Sequence, residues 1–286
     1  MNFSPPSFNL PADLDLWLRT SEREVPKLRV GTEKKIQWVT PGQSTPLALG
    51  YLHGFSASRQ ELSPVLETVG HRVGANVFFS RMKGHGLDGS ALASADAESW
   101  LADGFEAVAV THRLGKKIVL VGMSAGATVA AWVAANTNNR SGLILISPNF
   151  GLKGASPKIL LFPWGIQMAK RIVGPERSWE PKNDLQARIW TTRYPLESLR
   201  AVLSLCGSVG QDELGHIKVP TLVLFTPNDE RVDTSLIIKA FDQLGTDRKK
   251  LFRVEGAKEH VLAGDAVSPG TNAAVIDEIS DFLKRL

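Results

Sequence analysis

Cysteine is almost missing from this sequence: Cys206 stands alone among 286 residues. No disulfide can close within the chain, and no multi-cysteine metal site can be built. Redox logic therefore fixes no compartment, and a reducing cytoplasm is compatible. Runs of like charge are missing too. The 33 basic and 29 acidic side chains leave a formal charge of +4. The densest basic pairs, Lys34-Lys35 and Lys249-Lys250, are flanked by carboxylates. A nucleic-acid footprint needs basic residues gathered on one face, so no nucleic-acid partner is expected. The opening residues MNFSPPSFNL have neither the basic leader nor the apolar stretch of a signal peptide, and the expectation is a cytoplasmic protein. Internal repeats and low-complexity segments are also lacking.

Long apolar runs are scarce. The one membrane-span candidate is uncharged from Ile118 to Asn136, roughly the 18 residues a span needs. Its composition argues otherwise. The first part with the two lysines before it, KKIVLV, is rich in β-branched residues, the last, ATVAAWVAAN, is rich in alanine, and a Gly-x-Ser-x-Gly break separates them. That pattern reads as a buried strand, a tight turn and a buried helix, so no stable membrane insertion is expected.

What is present is ordinary globular material, with 43% hydrophobic and 22% charged residues. The length suits one α/β domain carrying an insertion. Residues 11–24 place Leu14, Trp17 and Leu18 at helical spacing. KKIQWV and PLALGYLHG read as strands separated by the turn TPGQST, and GANVFFSRM as another short strand. A helix follows over residues 97–115, then a strand in KKIVLVG, a helix from Ser124 to Asn136 and a strand in SGLILISP. Between Asn149 and His216 the alternation stops. A helix broken near Pro163 and a second over residues 195–205 are predicted there. Alternation then resumes with KVPTLVLFTP, residues 233–245, KKLFRVEG and the last fifteen residues. Strands alternating with helices imply a doubly wound, mostly parallel sheet with helices on both faces. The expected division is an N-terminal helix and edge-strand extension (1–45), a core (46–148 and 217–286) and an inserted helical lid (149–216).

The sharpest signal is VGMSAG, residues 121–126. A strand that turns straight into a helix needs small residues two positions either side of the apex. Gly122 and Gly126 stand there, with Ala125 and Ala127 keeping the surroundings small. Ser124 is thereby held clear of the sheet at the N-terminus of a helix. A serine hydroxyl is a poor nucleophile without a base and an orienting acid. In such folds the partners follow in the order acid, then histidine. Asp229 comes first after the strand LVLF, with Glu230 and Asp233 as weaker candidates, and His260 follows the next strand. The N–H groups of Ala125 and Phe55 are the expected oxyanion donors, and the Phe55 ring, Met123 and Trp164 the expected substrate contacts. Trp164, Ile166 and Met168 either line that pocket or bury the lid against the core. His53 and His85 read as loop-stabilising, His71, His112 and His216 show no partner pattern, and Cys206 lies away from the elbow.

The elbow GMSAG, the loop HGF, the acid loop NDERV and the histidine loop KEHV, in that order, resemble the α/β-hydrolase superfamily from about Leu47 onward. RMKGHGLDG is similar to a loop of the carboxylesterase and monoacylglycerol lipase branch. Two departures stand out: Met123 where histidine or tyrosine often precedes the nucleophile, and Ala127 where many lipases have a second glycine. The resemblance implies cleavage of small to medium acyl esters, a small-molecule ester substrate, and neither metal nor organic cofactor. Thioester, lactone, amide or carbon–carbon bond cleavage by the same groups stays open, as does a non-catalytic binding protein on this scaffold. Oligomeric state is not legible.

Overall fold

The computed structural model describes residues 3–137, 141–154, 162 and 164–286. The chain runs α1 (Leu14–Arg23), β1 (Lys35–Gln37), β2 (Thr45–Leu52), α2 (Ser63–Val73), β3 (Asn76–Phe79), α3 (Gly89–Ala93), α4 (Ala97–Leu114), β4 (Gly115–Met123), α5 (Ala125–Ala135) and β5 (Gly142–Ile146). A block of α6 (Gly165–Val173), β6 (Glu176–Ser178), α7 (Asp184–Ile189), β7 (Arg193–Pro195), α8 (Leu199–Cys206) and α9 (Gln211–His216) follows. The chain then continues through β8 (Thr221–Phe225), α10 (Thr234–Gln243), β9 (Lys249–Arg253) and α11 (Asn272–Lys284).

Seven strands form one sheet in the order β1-β3-β2-β4-β5-β8-β9, parallel throughout except for β1. β1 and β2 are neighbours in sequence but not in space: β3 lies between them, and β1 pairs with it antiparallel at the sheet edge. The turn between them carries Gly42 at φ +72°. Strand periodicity sorts the core into two layers. Leu49, Tyr51, Val119, Val121, Ile144, Ile146, Leu222 and Leu224 pack under α2 and α11. Ala48, Leu52, Ile118, Leu120, Leu143, Leu145 and Val223 pack against α4 and α5. Every one of these strand residues is at most 2% exposed, so both faces of the parallel sheet are dry. Helix starts are locally encoded. Asp13 caps α1 through Leu16 N–H at 2.8 Å, and Asp96 and Ser99 close a reciprocal capping box on α4.

The block between β5 and β8 is of two kinds. Ala201, Val202 and Leu205 of α8 and Leu214 of α9 belong to the same core as α4 and α5. The β6–β7 hairpin is separate from that core: Trp179 and Trp190, between its strands, join a small apolar cluster with Ala57, Val261 and Ala266 from loops after β2 and β9. α6 begins only at Gly165; the upstream half of the helix expected there, and the break near Pro163, lie outside the described residues. The second expected helix starts four residues late, because Pro195 sits in extended backbone and ends β7, with a 3-10 turn before α8. Among the described residues no helix is long and apolar enough to cross a membrane.

Candidate active site

β4, β8 and β9 are parallel, so their carboxyl ends open on one edge of the sheet, where such sheets bind ligands. At the end of β4 the chain reverses into α5 within one residue. Ser124 takes φ +54° and ψ −116°, a strained conformation that costs a non-glycine residue roughly 1–3 kcal/mol. The flanking glycines make the reversal possible. A Cβ on Gly126 would lie 2.2 Å from Leu52 O, and one on Gly122 would lie 2.4 Å from Ala127 Cα. Backbone bonds lock the apex: Ser124 N–H donates to Ile146 O at 2.9 Å, and Asn149 N–H donates to Ser124 O at 3.2 Å.

Asp229, on the loop after β8, is 1% exposed. Its Oδ1 accepts the N–H groups of Arg231 (2.8 Å) and Val232 (3.1 Å), while Oδ2 lies 2.6 Å from His260 Nδ1. Burial alone would raise this carboxyl, but the His260 bond and the two backbone donors outweigh it and hold the pKa below the usual carboxylate value. An ionised carboxylate only accepts, so Nδ1 must carry the hydrogen. The neutral ring then presents Nε2 as an acceptor to Ser124 Oγ, 2.7 Å away. Glu230 and Asp233 make no such contact. Glu230 lines the cavity beside the site, and Asp233 is occupied as the cap of α10, accepting from Ser235.

The loop after β2 passes beside this serine. A Cβ on Gly54 would come within 3.5 Å of Ser124 Cβ. Glu61, 2% exposed, accepts Gly54 N–H through Oε1 and the Tyr51 hydroxyl at 2.8 Å. Burial pushes its carboxyl up to about 7 against these hydrogen bonds. His53 braces the same loop from the other side, its Nε2 accepting Met82 N–H at 3.1 Å, and burial lowers it to about 4, so it is neutral. His85 packs 4.7 Å from the His53 ring and is driven well below the ordinary histidine value, chiefly by burial. Phe55 stacks edge-on against Tyr194 at 5.2 Å, and Ala125 opens α5 directly after the serine.

A cavity of about 480 Å³ reaches Ser124 and His260 and is walled by Phe55, Trp179, Trp190, Tyr194, Val202 and Val261 among others. A somewhat larger hollow of about 560 Å³ lies beside α1, between Arg19, Glu22, Arg29 and Ile36, and is lined by none of Ser124, Asp229 and His260. Ser124 and His260 line the smaller one and not the larger.

Two expected substrate contacts lie elsewhere. Met123 is fully buried in the layer under α2 and α11 and does not line the cavity. Trp164 is 50% exposed, stacks on Phe162 at 5.5 Å, and does not line it either. Ile166 buries α6 against Leu196 and Leu203, whereas Met168 is exposed. Cys206 lies against Asn149, and burial pushes its thiol up to about 12, so it stays protonated.

Sequence reasoning also missed residues that act through the backbone or across the fold. Ser147 Oγ donates to His260 O at 2.8 Å and so fixes the histidine loop. Arg29 donates to Trp190 O (2.6 Å) and Thr191 Oγ1 (2.8 Å), pinning the N-terminal segment to the hairpin block. Arg81 and Glu22 form a buried two-pronged pair at 2.7 and 2.9 Å between α1 and the loop after β3.

A serine on a strand-to-helix turn, an imidazole and a carboxylate meeting at the carboxyl ends of a mostly parallel sheet define a recognisable class, the α/β hydrolases. The chain belongs to it: the sequence model of the Alpha/beta hydrolase family matches residues 51–268. No curated protein matches in sequence. Solved structures with the same fold include a chain from the work on LipS and LipT, two metagenome-derived lipolytic enzymes, at 18% identity and TM-score 0.75, covering 90% of this chain and 100% of that one. The monoacylglycerol lipase of Paleococcus ferrophilus follows at 16% identity and TM-score 0.63, covering 87% and 98%. A soluble variant of the Saccharomyces cerevisiae monoglyceride lipase, in complex with a substrate analog, gives 13% and 0.65, covering 88% and 91%.

Proposed function

We propose that the protein is a serine carboxylesterase that cleaves esters of small to medium acyl chains through an acyl-enzyme. The observation that carries this reading is the unbroken hydrogen-bonded line from Ser124 Oγ through His260 to Asp229, at 2.7 and 2.6 Å. Ser124 attacks the ester carbonyl while His260 Nε2 takes its proton. Asp229 keeps the imidazole in the required tautomer and stabilises its positive charge. The N–H groups of Phe55 and Ala125 receive the oxyanion, aided by the dipole of α5. His260 then returns the proton to the leaving alcohol, and the same imidazole activates the water that releases the acid. The lipolytic activities named for the structural relatives support ester cleavage.

Residues 149–216 act as the cap of this site, since Trp179, Trp190 and Tyr194 of the cap wall the cavity. Residues 1–45 act as an external brace, through Arg29 and Glu22. Replacing Ser124 by alanine should lower kcat for p-nitrophenyl butyrate by a factor on the order of 10⁴–10⁶. Retention of most of the activity refutes the reading.

A further inference from the structure

Two arginines reach the cavity from separate parts of the chain. Arg177 comes from β6 in the cap and Arg231 from the loop after β8, two residues beyond Asp229, and both line the cavity that holds Ser124. Both bear on the same phenol. Burial raises Tyr194, and the charges of Arg177 and Arg231 oppose that rise. The other cations nearby are occupied: Lys182 pairs with Glu259, Arg193 pairs with Glu176, and Lys153 donates to Asp229 O at 3.2 Å. Among the described residues neither Arg177 nor Arg231 forms an ion pair, although Glu180 and Glu230 also line the cavity.

Two guanidiniums lining one cavity and, among the described residues, tied up in no ion pair repel each other, and an anion set between them removes that cost. The local charge excess agrees. The cavity lining carries four basic side chains, Lys153, Arg177, Lys182 and Arg231, against three acidic ones, Glu180, Glu230 and Glu259. An aromatic path joins the two ends of the site. Phe55 follows the glycine beside Ser124 and stacks edge-on against Tyr194, which lines the same cavity as the two arginines.

We propose that the site takes esters whose acyl chain ends in a carboxylate, with the ester carbonyl at Ser124, the chain across Phe55 and Tyr194, and the carboxylate held by Arg177 and Arg231. The proposal rests on the esterase reading and names its substrate class. It makes Arg177 and Arg231 specificity-determining residues.

The test compares kcat/KM for mono-p-nitrophenyl adipate with that for p-nitrophenyl hexanoate, esters of equal acyl length that differ in the terminal carboxylate. The wild type should favour the adipate ester about tenfold or more at low ionic strength, and the preference should shrink in high salt. The double variant Arg177→Gln/Arg231→Gln should lower the adipate-to-hexanoate ratio about 10- to 100-fold, the range expected for charge-assisted bonds. Arg231→Glu alone should push the ratio below that of the wild type and raise KM for the adipate ester. Free adipate should inhibit hexanoate hydrolysis competitively, more strongly than inorganic phosphate. No adipate preference in the wild type, or an unchanged ratio in the double variant, overturns the proposal, as does inhibition by phosphate but not by adipate. Hexanoate hydrolysis that persists in Ser124→Ala would instead overturn the esterase reading itself, so the two failures are distinguishable.

Discussion

Glu61 offers a prediction whose sign and size both follow from its surroundings. The carboxyl is buried, accepts from Gly54 N–H and the Tyr51 hydroxyl, and has its pKa pushed from 4.5 up to about 7 by burial. Above pH 7 both folded and unfolded chains carry it ionised; below pH 4.5 both carry it protonated. Between those limits the native state binds more protons, so stability falls as pH rises. The full penalty is about 3 kcal/mol, of which roughly 2.5 kcal/mol falls between pH 5 and pH 8. Glutamine has the same shape, keeps one carbonyl oxygen for both donors, and does not titrate. Glu61→Gln should therefore gain on the wild type by about 2.5 kcal/mol between pH 5 and pH 8. Urea unfolding followed by tryptophan fluorescence at both pH values measures this. Comparing variant with wild type cancels the contribution of Asp103, which burial also raises to about 7. Glu61→Ala behaves differently, because it strands the Gly54 and Tyr51 donors and should cost about 1–3 kcal/mol at both pH values. Parallel pH profiles for wild type and Glu61→Gln would refute the reasoning.

Other outcomes follow from single contacts. Asp229→Asn should leave the fold intact but lower kcat on the order of 10⁴, because an amide can donate to Nδ1 and leave the imidazole in the wrong tautomer; steady-state kinetics with p-nitrophenyl butyrate reads it. Gly126→Ala would press a Cβ to 2.2 Å from Leu52 O and 2.4 Å from His53 O, both backbone atoms. It should destabilise by about 3 kcal/mol or more, visible as a lowered Tm. Cys206, with its thiol raised to about 12 by burial, should resist iodoacetamide at pH 8 in the native protein and react fully in urea.

The fold was readable where local composition and periodicity agreed. The two-layer core repeats the alternation of the strands, and the Gly-x-Ser-x-Gly turn declares itself because only small residues fit two positions from Ser124. The acid and histidine loops were legible because each immediately follows an apolar strand. Helix α2 was not read, since its buried face of Val65, Leu66 and Val69 is cut short by Gly70 and lies in a stretch with no motif. Met123 does not reach the cavity because it ends β4 in phase with Val119 and Val121, and so faces the core layer under α2 and α11. Trp164, half exposed and stacked on Phe162, does not line the cavity, since an apolar side chain in an insertion can serve the surface as readily as a pocket. Glu61, Ser147 and Arg29 carry no sequence signature, because what they hold is backbone, or residues far along the chain.

The most direct test of the account is covalent labelling with a fluorophosphonate, read by intact mass and peptide mapping. The account predicts one adduct per chain, on the peptide containing Ser124, formed rapidly in the wild type and strongly slowed in His260→Gln. Folded protein that stays unlabelled, or that carries the adduct on another residue, would contradict it.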